Sequence, residues 1–184
     1  MRFASSALGI VVFVSAGLTD AAPVAAAPQQ LLNKTVTLAW TAQSVLRGPD
    51  GKVIQVNPSI KYVIYISSQG RLFERSSRSL GGRTQRGDHL DATQTGIGES
   101  RALRFEGNTL VAYRDYAGGG GSGAMRAVAT FDSSYSSCSV TVRVGKENGK
   151  VVKRQGLDGV VREILSVTTT GTSCSIQDGN AFAN

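Results

Sequence analysis

Apolar and polar residues alternate with a period of two over much of the chain. Val36, Leu38, Trp40 and Ala42 share one side of the stretch Thr35 to Val45. Thr35, Thr37, Ala39, Thr41 and Gln43 share the other. That pattern predicts a half-buried strand. Ile60, Tyr62, Ile64 and Ile66 repeat it. Ser68-Gln69-Gly70 then turns the chain, and Arg71 to Arg75 return as a hairpin. Leu103 and Phe105 lead into Glu106-Gly107-Asn108-Thr109, a turn of residues that tolerate positive φ, and Leu110 to Tyr116 run back.

Two further alternations follow, Met125, Ala127, Ala129, Phe131 and Cys138, Val140, Val142, Val144. Val53 to Val56, Val151 to Lys153 and Ser173 to Ile176 read as shorter strands. Val160 to Thr170 carries two periods at once. Val160, Val161, Ile164 and Leu165 suit one helix face, whereas Val161, Leu165 and Val167 suit one strand face. The threonines at its end tip the reading to strand. Residues 79–100 hold almost no large apolar side chain and read as one long connection.

These elements predict an all-β fold, an antiparallel meander of about eight to nine strands. No strand–helix–strand alternation calls for a parallel sheet. The turns are short and consecutive, which favours a small β-barrel over a β-sandwich. A single domain is expected over residues 34–184, after a flexible entry segment at 27–33.

The first residues follow another pattern. Met1-Arg2 precedes an apolar stretch that is densest from Ala7 to Leu18, and the small-residue run 21–27 comes next. This order predicts a cleavable secretory signal peptide over residues 1–26. Val24 and Ala26 suit the shallow −3 and −1 pockets of a signal peptidase; Thr19 and Ala21 are the second choice. The apolar core is shorter than the roughly 20 residues of a spanning helix. The expected destination is a periplasm or the exterior of a cell.

Export changes the reading of the cysteines and of the charge. Cys138 and Cys174 are the only two, each in Ser-Cys-Ser, with no Cys-x-x-Cys motif. In an exported chain they are expected to form one disulfide. The chain has 20 basic and 13 acidic residues, a net +7. Loss of Arg2 and Asp20 with the leader leaves that balance unchanged.

The basic residues concentrate between Arg71 and Arg86. Arg75, Arg78, Arg83 and Arg86 are the candidate ligand-binding residues, because guanidinium groups pair bidentately with carboxylate or phosphate. Lys146, Lys150, Lys153 and Arg154 form a smaller cluster of the same kind. Nucleic acid fits least: an exported protein seldom meets it, and no stacking motif is present.

Catalytic chemistry has thinner support. His89 is the only histidine and lies between Asp88 and Asp91 in Asp88-His89-Leu90-Asp91, a weak general-base set. Glu74, Glu99, Glu106, Asp115 and Glu163 supply carboxylates, but their spacing selects no glycosidase pair. The glycines 118–121 lack the Lys-Ser/Thr of a phosphate loop. No metal site and no cofactor motif is read.

The leading expectation is therefore an exported non-enzymatic binding protein. Its ligand would be an anionic glycan, a lipid head group or a small molecule in a barrel cavity. The alternatives are a small secreted hydrolase using His89 with Asp88 or Asp91, and an envelope-associated structural or interaction subunit.

Overall fold

The computed structural model describes residues 26–87, 90–91, 101–115, 123–146 and 152–183. They form twelve strands: β1 (Lys34–Arg47), β2 (Val53–Val56), β3 (Ser59–Ile66), β4 (Leu72–Leu80), β5 (Arg83–Arg86), β6 (Leu90–Asp91), β7 (Arg101–Glu106), β8 (Thr109–Asp115), β9 (Gly123–Phe131), β10 (Cys138–Lys146), β11 (Val152–Gln155) and β12 (Val161–Asp178). Every pairing is antiparallel. The expected leader lies outside the described residues except for Ala26. Among the described residues no helix is long and apolar enough to cross a membrane.

Eight strands make one sheet in the order β11-β12-β1-β3-β4-β5, with β2 beside β1 and β6 beside β4. The other four make a meander, β10-β9-β8-β7. The preferred barrel is not confirmed, because neither sheet closes on itself among the described residues. Two open sheets instead face each other across one core, in the manner of a sandwich. Short turns build a meander in either architecture; a barrel also needs a ladder between its first and last strands.

The alternation seen in the sequence is what buries the faces. Val36, Leu38, Trp40 and Ala42 of β1 lie in the same apolar cluster as Leu110, Ala127 and Phe131 of the small sheet. Tyr62 on β3 reaches across the core, its hydroxyl 3.8 Å from Met125 Sδ on β9. Leu31 also belongs to this core, fully buried at the end of a single 3-10 turn, Gln29–Leu31. That turn ties down part of the segment expected to be a flexible entry.

Cys138 and Cys174 form the expected disulfide, with Cα atoms 5.5 Å apart. The bridge joins β10 of the small sheet to β12 of the large one. Thr169 of β12 adds a hydrogen bond at the same corner, from its hydroxyl to Val142 O at 3.2 Å. The β9–β10 turn is held by Asp132, whose carboxylate accepts from the hydroxyls of Ser136 and Ser137, each at 2.8 Å. Those bonds hold the Asp132 carboxyl well below the usual carboxylate range.

The ambiguous segment is strand, and its mixed period has a structural cause. β12 runs unbroken from Val161 through the segment expected to pair last. Its register against β1 slips twice. Leu165 is extra between the pairs Val45↔Ser166 and Leu46↔Ile164, and the second slip falls at Gly171-Thr172, opposite Trp40. Each bulge adds a residue without changing the face, so Ile164 and Val167 point inward at a spacing of three, which imitates a helix. Gly171 has φ 59°, a conformation glycine takes freely.

Candidate functional site

Residues 79–86 of the arginine-rich segment continue one strand and form another where the start of a long connection was expected. β4 continues to Leu80, and Gly81-Gly82 turns it into β5 with Leu80 opposite Arg83. Both glycines have positive φ, 56° and 77°, as a two-residue hairpin turn requires. The dipeptide was a hairpin signal in the sequence, although the segment around it is poor in apolar residues.

Strand geometry then divides the four candidate arginines. Arg78 pairs with Ile60 on β3, an inward position, and Arg83 pairs with the inward Leu80. Arg75 pairs with Val63, and Arg86 with Ser77, both on the outer face. The outer Arg75 lies over the ring of Phe182, 5.3 Å from its centroid. The four expected ligand-binding residues thus split two and two across the sheet.

The inward pair is joined by an arginine that sequence reasoning missed. Arg78, Arg83 and Arg162 line one groove of about 370 Å3, together with the apolar Leu46, Ile54, Val56, Leu80 and Leu157. Arg162 lies two residues before the inward Ile164 on β12. Nothing in the local sequence linked it to β4, because the meeting depends on how the sheet curls. The curl brings β11 opposite β4, so that Arg78 Nη1 lies 3.5 Å from Gln155 O.

Arg162 is partly neutralised. Asp158 accepts from its Nη1 and Nη2 at 2.9 and 2.8 Å. Those bonds lower the Asp158 carboxyl to about 2 and raise the Arg162 guanidinium above its ordinary value. Arg83 is exposed. At its mouth the groove widens into a more polar trough along Thr84, Gln85 and Gln155.

Inward, past Arg78 and Arg162, the groove meets a pocket of about 30 Å3. Trp40, Ser44, Ile60, Met125 and Val167 are among the residues that line it. Trp40 is buried and stacks on Tyr62, with ring centroids 5.4 Å apart and planes 16° off parallel. Its Nε1 has no hydrogen-bond partner among the described residues. A buried donor left in that state costs about 1–3 kcal/mol. Ser44 makes one long bond of 3.4 Å to Ala42 O.

Among the described residues, no other candidate lines this groove. Asp88 and His89 lie outside the described residues, and Asp91 is ion-paired with Arg71. Glu74 is buried on the inner face of β4. Glu106 pairs with Arg104 and Arg126 at 2.6 and 2.9 Å, and Glu163 with Arg47 at 3.5 Å. Glu99, Lys150 and the glycines 118–121 lie outside the described residues, and Lys153 is exposed. No group of three His, Cys, Asp or Glu side chains placed to hold a metal occurs among the described residues.

Comparison with known proteins found no matching family model, no matching curated protein and no matching solved structure.

Proposed function

We propose that the protein is an exported binding protein for an anionic amphipathic small molecule, taken up in the groove between the β4–β5 and β11–β12 hairpins. One observation carries the reading: Arg78, Arg83 and Arg162, against the single acid Asp158, converge on a groove that Leu46, Ile54, Val56, Leu80 and Leu157 also line. Guanidinium groups recognise carboxylate and phosphate bidentately. Leu46, Ile54, Val56, Leu80 and Leu157 offer an alkyl chain the apolar surface it seeks. Export is supported by the leader pattern and by the Cys138–Cys174 bridge, a bond that persists in oxidising compartments.

Isothermal titration with decanoate, decanol and decylamine tests the binding. Decanoate is expected to bind at least about tenfold more tightly than decanol, with no binding of decylamine. Arg83→Ala should weaken decanoate and lessen the salt dependence of its binding. Equal binding of all three probes, or of none, would overturn the reading. For export, amino-terminal sequencing of the protein recovered outside the cytoplasm should begin at Ala27.

A further inference from the structure

We infer that the outer face of the large sheet is a second binding site, a basic surface for a linear acidic polysaccharide built on Lys61, Arg75 and Arg86. It faces away from the groove and does not depend on the ligand proposed there.

The strand registers assemble the site. Ala39 of β1, Lys61 of β3, Ser77 of β4 and Arg86 of β5 stand in one row across the outer face. Two strand spacings, about 10 Å, separate the backbones at Lys61 and Arg86. The row on one side runs Thr37, Val63, Arg75, about 7 Å along the strands. The row on the other side runs Thr41, Ser59, Ser79, Thr84. Three cations thus form a triangle among short side chains that mostly carry hydroxyls, and these rows hold no acid.

The three charges are also unspent. Among the described residues Lys61, Arg75 and Arg86 form no ion pair, whereas Arg47, Arg71, Arg104, Arg126 and Arg162 each do. Lys61 and Arg86 are exposed, and Arg75 is half-buried beneath the Phe182 ring. Such cations pair with carboxylates spaced along a chain. The serine and threonine hydroxyls between them can exchange hydrogen bonds with sugar hydroxyls.

Other polyanions suit the face less well. A lipid surface would need apolar side chains to insert. The exposed large ones among the described residues are Val53, Ile54, Val160 and Val161, all outside these rows. A single-stranded nucleic acid needs open rings to stack on. Of the rings bordering these rows, Tyr65 and Phe73 stack on each other with centroids 6.2 Å apart, and Phe182 covers Arg75.

Titration with polygalacturonate oligomers, neutral dextran of like length and an oligothymidylate of equal charge tests the site. Polygalacturonate is expected to bind, more weakly as salt rises, and dextran not to bind. Lys61→Ser/Arg86→Ser, with its fold verified by circular dichroism, should weaken polygalacturonate at least about tenfold. Lys52→Ser/Lys153→Ser removes the same charge from exposed positions outside these rows and should change affinity less than about twofold. No binding of polygalacturonate, equal binding of dextran, or an equal loss in the two double variants would overturn the site. Tighter binding of the oligothymidylate would overturn the polysaccharide as its occupant. Decanoate titration of the same variants reads the groove separately, so either site can fail without the other.

Discussion

Arg78 on β4 directs Nη1 at the carbonyl oxygen of Gln155 on β11, 3.5 Å away, although β12, β1 and β3 separate those strands in the sheet. The relationship records a sheet curled far enough for its two ends to form the walls of one groove. The Arg78 guanidinium lines the groove, where it can pair bidentately with an anionic acceptor. Arg78→Ala should therefore cut decanoate affinity about tenfold or more. Arg78→Lys should not restore it fully, since an ammonium lacks the bidentate fork. Titration and thermal melts of both variants check this.

Asp158 competes with any anion for Arg162. Asp158→Asn keeps an oxygen for the Val160 N–H, which lies at 3.1 Å, and removes the opposing charge. Decanoate affinity should rise about threefold by titration, the size of a modest charge interaction.

The same residue has a signed pH dependence. The hydrogen bonds from the Arg162 guanidinium lower the Asp158 carboxyl to about 2, below the ordinary carboxylate value. A depressed carboxyl stabilises the fold above its unfolded value, and that contribution is lost as pH falls from about 4 through about 2. Acid denaturation of the wild type should show this slope, and Asp158→Asn should show less of it.

The Cys138–Cys174 bridge closes a separation of 36 residues between the two sheets. Chain entropy assigns such a loop about 4 kcal/mol. A Cys138→Ala/Cys174→Ala variant should lose stability of that order in urea. The loss would fall first at the β10–β12 corner, where Thr169 still bonds Val142 O.

Gly81 and Gly82 support the groove through the backbone. Neither would place an added Cβ within 4 Å of another atom, yet both hold positive φ. Alanine at Gly82 should cost about 1 kcal/mol through backbone strain alone. It should also weaken decanoate binding by shifting Arg83, with no ligand contact removed. Denaturation and titration of Gly82→Ala separate the two effects.

Much of the fold was legible because strand alternation is local. The faces of β1 and β3 and the β7–β8 turn follow from neighbouring residues alone. The split of the arginines was legible too once β4 extends to Leu80, since the spacing of three between Arg75 and Arg78 puts them on opposite faces. Taking 79–100 as one connection hid it. The mixed period of β12 was harder, because two bulges shift its register and a bulge carries no period of its own.

The sequence by itself determined strands, faces and the cysteine pair, each a consequence of side-chain period or composition. Only the tertiary structure decided that the two sheets do not close among the described residues, and that Arg78, Arg83 and Arg162 meet on one groove. Those outcomes depend on sheet curl and on pairings between residues far apart in the chain, such as Leu46 with Ile164. No local pattern encodes such distances.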